Sequence, residues 1–396
     1  MSIDIPRYVD ELMVRMRECG EEAYIVGGSL RDALLGKEAN DYDLATSASP
    51  ARMLEIFSDH RVIETGLKHG TLTVVSDGKP VEITTFRIDG GYSDARHPDS
   101  VSFTRSIEED LARRDFTVNA MAYNKERGLV DLFGGRQDLD AKIIRAVGDA
   151  ERRFTEDALR IMRAFRFSAQ LGFEIENSTL AAASACRDGL GRVARERIAT
   201  EFFKLVTSPH LEKPLMLMRE RGILEFVLGE CIPDGQLISL VQKMPCDEAA
   251  RLGFLLCRQE KTAAQRALSG LKCSNRQRSI AVAVAQNSKR SIATPSDCAR
   301  LRAELGESAE FAVSASILLG YADQRAPEWL KSNRAPASLS ELAIGGRDLC
   351  ELGLSGKEIG RVLAELLEAT IEKPELNTRE SLTVLAKEKI NQKKGE

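Results

Sequence analysis

Over roughly the first 150 residues, short apolar runs alternate with turn residues. AYIV (23–26), DYDLAT (41–46), TLTVVS (71–76) and VEITTFR (81–87) have the brevity and β-branched content of strands. Asp77-Gly78 separates the last two, a pair whose tolerance of left-handed backbone closes a two-residue hairpin. Helical spacing is predicted at 6–19, at 29–35 and after Ser49-Pro50, where Ser supplies the cap and Pro takes the first helical position. From 151 onward the strands stop. TEDALRIMRAFRFSAQLG reads as one helix, with Thr155 as N-cap, Glu156 and Asp157 in the first turn and Gly172 at the end. Helical patterning recurs at 194–206, 214–227, 247–258, 296–319 and 358–370, while ADQRAPEWLKSNRAPAS (322–338) has the composition of a linker. The expected fold class is α+β: a mixed head over 1–150, then an all-helical remainder.

A chain of 396 residues exceeds one ordinary domain. Its balance of 43% hydrophobic and 29% charged residues excludes a disordered or fibrous protein. No run of 18 apolar residues offers a membrane span, and the N-terminus lacks the apolar segment of a secretory signal, so a cytoplasmic location without membrane contact is expected. Eight cysteines without a CxxC spacing read as reduced thiols. The last of four histidines is His210, so histidine chemistry is excluded from the 186 residues after it. A net charge of −4 gives no global attraction for nucleic acid. RNA contact would need a local patch, for which Arg192, Arg195 and Arg197 are candidates and a solvated helical face the alternative.

The chemistry gathers in four places. Gly27-Gly28-Ser29-Leu30-Arg31-Asp32 follows a strand and opens a helix, so backbone N–H groups could face a phosphate, with Gly28 allowing close approach and Arg31 adding charge. A tight turn that needs glycine gives the same pattern. Asp41 and Asp43, two apart on a predicted strand, project to one face, where like charges repel unless a cation lies between them. Magnesium suits such oxygen donors beside phosphates. Glu82, on VEITTFR, is the third carboxylate if the strands align, and an outward-facing strand residue if they do not. Arg113-Arg114-Asp115 abuts an apolar segment, placing its charges at a cleft edge or in a surface ion-pair patch. Asp157 and Arg160, three apart on the predicted helix, are neighbours on its surface, with Arg163 and Arg166 continuing the step. A surface ion pair explains that spacing too. If they read a base, the carboxylate accepts from the exocyclic amine of C or A, and the guanidinium donates to ring acceptors. U and G would leave the carboxylate facing a carbonyl, a strong ground for rejection.

In order, GGSLRD, DYDLAT, RRDFTVNAMAYN, LVDLFGGRQDL and EDALRIMRAFRFSAQLGFEI resemble the motifs of bacterial class II tRNA nucleotidyltransferases and poly(A) polymerases. RVARERIATEFFKLV (192–206) resembles the motif that follows, and the tail from ELAIGGRDLC resembles members without an HD domain. Leu30 stands where Val or Ala is more usual. The resemblance implies a polymerase-β-type nucleotidyltransferase head (1–150), a helical neck (151–212), a body (213–321) and a tRNA-binding tail (322–396). It implies Asp41 and Asp43 as catalytic magnesium ligands, and Gly28, Arg31, Arg114, Asp157, Arg160, Arg163 and Arg166 as nucleotide contacts. The implied activity is addition of CCA to the tRNA 3′ end from CTP and ATP, releasing pyrophosphate, with Mg2+ as cofactor. A CC-adding or A-adding enzyme would share these motifs and differ in the loop at 89–106, whose acidic and basic residues here favour full CCA addition. A poly(A) polymerase calls for a more basic chain, and a silent RNA-binding protein would not need paired carboxylates.

Overall fold

The computed structural model describes residues 3–39, 41–64, 66–90 and 101–394. The loop at 89–106 therefore lies partly outside the described residues. The chain packs as two units, one ending at Val227 and the other beginning at Leu228.

In the first unit, α1 (Arg7–Glu18) buries Val9, Leu12, Met13 and Met16, the 3–4 spacing of an amphipathic helix. There follow β1 (Ala23–Val26), α2 (Gly27–Leu34), β2 (Asp43–Thr46), α3 (Pro50–Ile56), β3 (Arg61–Ile63), β4 (Thr71–Ser76) and β5 (Lys79–Thr85). Next come β6 (Arg87–Asp89), β7 (Val101–Phe103), α4 (Ile107–Ala112), β8 (Met121–Asn124) and β9 (Gly128–Asp131). Ser49 caps α3 by accepting from the Arg52 N–H at 3.2 Å. Asp77 and Gly78 both take positive φ, 49° and 73°, closing the β4–β5 hairpin as their sequence requires. Seven strands form one sheet in the order β3-β4-β5-β2-β1-β8-β9, and only the β2–β5 pairing is parallel. Tyr24, Val26, Ala45, Phe86, Ile107, Leu111, Ala122 and Val130 make a buried cluster that seats α4. β2 begins only at Asp43, so Asp41 occupies the bend before the strand and not the strand itself.

The unit continues with α5 (Gly135–Ala141), β10 (Ile143–Ile144), α6 (Ala150–Glu156), α7 (Leu159–Leu171), β11 (Glu174–Ile175), α8 (Asn177–Ala185) and α9 (Arg195–Val206). β10 and β11 pair in parallel, so strands do not end at 150; two-residue pairings are too short to leave a periodic signal. The single helix expected from Thr155 is broken. Thr155 lies in the last turn of α6 and donates its hydroxyl to Glu151 O at 2.8 Å. Asp157 takes an extended conformation (φ −142°, ψ 102°) and accepts from the Leu159 N–H at 3.0 Å, opening α7. The side chain competes with the helical backbone and wins two residues later than expected. The helix ends as predicted, at Gly172 with φ 71°.

The second unit is helical. The expected 296–319 helix divides at Gly306 (φ 56°) into Pro295–Leu305 and Ala309–Leu318. The supposed linker contains the helix Ala326–Ser332, whose Ala326 is buried and whose Trp329 packs on the cluster of Ile292, Cys298, Leu301 and Val313. Its Pro327 lies in the first turn, where proline is tolerated, so composition alone misled. Further on, Leu349, Val362, Leu366 and Leu382 share a core. None of the eight cysteines is in a disulfide. Among the described residues no helix is long and apolar enough to cross a membrane.

Gly253 marks a close helix approach in this unit. A Cβ there would stand 2.4 Å from Ala281 O and 2.8 Å from Ala281 Cα, both backbone atoms of the helix Asn275–Asn287. Gly253→Ala gains about 1 kcal/mol of helix propensity. Forcing two backbones apart costs about 1–3 kcal/mol. The variant is expected to melt below the parent by differential scanning calorimetry, and an equal or higher melting temperature would contradict this packing.

Candidate active site

The start of α2, the first residues of β2 and β6, the segment that follows α4, and the helices α7 and α9 line a cleft of about 650 Å3. Eight arginines (31, 87, 113, 114, 160, 163, 166 and 197) and three aspartates (43, 115 and 157) line it. That excess of fixed positive charge is suited to a polyanion. Gly27 opens α2 with φ 68°, and a Cβ there would stand 3.3 Å from Arg114 Nη1 and 3.8 Å from Asp43 Oδ2. At Gly28 it would meet only Arg31 Nη2, at 3.6 Å. The conformational need for glycine thus falls on Gly27, while Gly28 leaves the backbone bare on the cleft wall. Arg31 is anchored by Asn119 Oδ1 and Asp32 Oδ1, each at 2.9 Å.

The Arg113-Arg114 pair is held by one residue. Asp110, 1% exposed, accepts from Arg113 Nη2 at 2.7 Å through Oδ1 and from Arg114 Nη2 at 3.0 Å through Oδ2. Burial works to raise the Asp110 carboxyl, but the Arg114 and Arg113 charges prevail and hold it below the usual range. Asp115 likewise accepts from Arg163 Nε at 2.7 Å, and that charge outweighs burial to keep it ionised. Arg166 pairs with Glu201 at 2.7 Å.

Asp157 and Arg160 both line the cleft, but no ion pair joins them. Asp157 sits in the break between α6 and α7, with Oδ1 on the Leu159 N–H and Oδ2 on Arg197 Nη2, each at 3.0 Å. Arg160 donates through Nη1 to Glu156 Oε2 at 2.9 Å and Arg153 O at 3.2 Å, and through Nη2 to Arg113 O at 3.1 Å. A carboxylate offers about four acceptor sites and a guanidinium five N–H donors. Each side chain is therefore fixed in place and still has bonding capacity for a ligand.

The third carboxylate is in register. β2 and β5 pair Asp43 directly with Glu82, and both border a smaller pocket that adjoins the cleft at Asp43 and Arg114. The Asp43 carboxyl is pushed up to about 6, by burial first and then by Glu82 and Asp41, against the pull of Arg114. Its surface is open to the cleft, so the burial is that of a concave wall. Among the described residues no three carboxylates, thiols or imidazoles already converge as a metal-holding group. The donor set nevertheless fits a hard cation, since acids that repel each other across paired strands are relieved by one.

The structure thus brings Gly28, Arg31, Asp43, Arg114, Asp157, Arg160, Arg163 and Arg166 to one cleft. Sequence reasoning missed Asp110, Asn119 and Phe167, and offered Arg197 only as an RNA-contact candidate. Asp110 left a signal: it stands three and four residues before Arg113 and Arg114, the spacing of neighbours on a helix. Arg195 and Arg197 are not part of a solvated face, since Arg195 donates to Val227 O at 2.7 Å and Arg197 to Asp157. Arg192 is exposed.

Two family profiles match the first unit and its boundary: the poly A polymerase head domain over 23–145, and a probable RNA and SrmB-binding site of polymerase A over 172–233. The chain is similar to a CCA-adding enzyme of Leuconostoc mesenteroides (45% identity, 60% of this chain, 58% of that one) and to one of Lactobacillus gasseri (47%; 55% and 54%). It spans just over half the length of those two curated relatives. With the CCA-adding enzyme of Limosilactobacillus fermentum it shares 37% identity over 95% of both chains. Among solved structures, the Bacillus stearothermophilus CCA-adding enzyme in complex with CTP superposes with a TM-score of 0.82 at 30% identity, covering 98% of each chain. The Thermotoga maritima CCA-adding enzyme complexed with tRNA shares the fold at a TM-score of 0.71 and 20% identity, covering 98% of this chain and all of that one.

Proposed function

This chain belongs to the CCA-adding enzyme family of tRNA nucleotidyltransferases, and from that premise we propose that it adds C, C and A to the 3′ end of tRNA in the cytoplasm, using CTP and ATP. One observation carries the reading: a positively lined cleft holds Asp157 and Arg160, each fixed by other partners with bonding capacity to spare, together with Asp43. The nucleotide triphosphate lies against Arg31, Arg163 and Arg166, with the bare backbone at Gly28 beside it. Asp157 accepts from the exocyclic amine of C or A, and Arg160 donates to the ring acceptors. The terminal 3′ oxygen of tRNA bonds to the α-phosphorus, the α–β bridging bond breaks, pyrophosphate leaves and the hydroxyl proton is released. Asp41 and Asp43, with Glu82 beside them, are the residues that would hold magnesium, which when bound supplies activation of that hydroxyl and neutralisation of phosphate charge. The other residues position the two reactants, the main source of catalysis in phosphoryl transfer. The helical remainder takes the tRNA.

The test is release of pyrophosphate from each of the four nucleotides with tRNA lacking its 3′ CCA. CTP should react, ATP should react on tRNA already ending in CC, and UTP and GTP should not. Asp157→Asn is expected to lower use of CTP and ATP by about 10–100-fold and to admit UTP and GTP, because the amide can donate to a carbonyl. Unchanged discrimination in that variant would remove Asp157 from base selection.

A further inference from the structure

Phe167 is the one aromatic side chain among the residues lining the cleft. Its ring centroid lies 4.0 Å from the guanidinium carbon of Arg166, 5.2 Å from that of Arg163 and 5.4 Å from that of Arg31. The ring is 6% exposed and fixed by an edge contact with the fully buried Phe116, centroids 5.8 Å apart at 81°. The three cations come from two helices, α2 and α7, and would repel one another if left alone. Each has a carboxylate within reach: Asp32 at 2.8 Å for Arg31, Asp115 at 2.6 Å for Arg163 and Glu201 at 2.7 Å for Arg166. A further carboxylate would gather them more tightly, but it would also repel an incoming phosphate. A phenyl face attracts guanidinium through its quadrupole and adds no net charge. It also takes no N–H in a strong hydrogen bond, so those donors stay available to phosphate oxygens.

We propose that Phe167 is a positioning residue for the triphosphate: its ring gathers Arg31, Arg163 and Arg166 into one phosphate cradle without spending their charge. The proposal rests on the reading of this cleft as the nucleotide site. Without the ring's attraction the guanidiniums separate toward solvent, and a nucleotide must order them again on binding.

Fluorination of the ring tests this, because it removes the quadrupole and keeps the shape. Phenylalanine with one, two and three fluorines would replace Phe167 in the full chain. Binding of CTP, ATP and inorganic tripolyphosphate would then be measured by calorimetry, alongside thermal melting. Affinity should fall stepwise, by on the order of tenfold at three fluorines, by the same factor for all three ligands and with melting unchanged. Phe167→Leu should lose at least as much affinity. Fluorinated proteins that bind tripolyphosphate like the parent overturn the proposal, whether or not Phe167→Leu is impaired, since packing alone then explains the ring. A loss confined to CTP and ATP also overturns it, because the ring would then be contacting the base. A parent protein that binds none of the three overturns the nucleotide reading, and the proposal with it.

Discussion

Asp43→Asn is expected to lower nucleotide incorporation by at least ~10³-fold while leaving tRNA binding intact, because the site loses several kcal/mol of charge stabilisation in the transition state. The same change should make the metal-free fold more stable. A carboxyl whose folded value, about 6, lies above its ordinary 3.8 binds its proton more tightly in the folded state. Its contribution therefore favours folding below pH 3.8 and is lost as pH rises from 3.8 to 6. At neutral pH the parent carries the whole penalty, from burial first and then from the Glu82 and Asp41 charges, a modest one because the cleft is open to solvent. Magnesium should raise the parent's melting temperature at pH 7.5 and do little at pH 5. The Asn variant should melt higher than the parent in chelator and respond to magnesium at neither pH. Parent-like activity in the variant would remove Asp43 from catalysis, and an equal magnesium response would remove it from the metal site.

Asp110→Asn should do the opposite, damaging fold and binding together. One buried carboxylate neutralises Arg113 and Arg114, whose side chains are each 17% exposed, and it also accepts the Arg87 N–H at 3.3 Å. An amide of the same shape keeps one acceptor oxygen, turns an NH2 donor toward the other guanidinium and removes the charge that balanced both. Breaking a buried pair in this way costs about 3–5 kcal/mol. In a unit of this size that corresponds to a melting temperature lower by on the order of 10 °C. Arg114 Nη1 also reaches Asn119 O at 3.4 Å, so it should stay near the cleft but lose its orientation, and KM for CTP and ATP should rise. Calorimetry and initial-rate kinetics on one preparation read both effects. A variant with parent-like melting would show that Asp110 does not carry the pair.

The parts of the site that were legible in the sequence were those set by local geometry. Strand-to-helix glycines, a two-residue hairpin at Asp77-Gly78 and the three-residue step of Arg160, Arg163 and Arg166 are written in short stretches of sequence. The pairing of Asp43 with Glu82 was not, because it depends on the register of a parallel strand pair separated by some forty residues of chain. The break at Asp157 was hidden for a different reason. TEDALR satisfies a helix start at Thr155 as well as at Asp157, and the choice lies with Arg197, which is brought to Asp157 only when α9 packs on α7. Phe167 left no signal in the sequence, because what sets it apart is the three guanidiniums that the fold collects around it.

The most direct test of the account is the length of product made on tRNA that ends just before CCA. The pure protein, magnesium, CTP and ATP would be incubated together and the products resolved to single nucleotides. Three additions in the order C, C, A, followed by a halt, are the predicted result. A product that stops at two, a ladder of A residues, or no extension at all would contradict it.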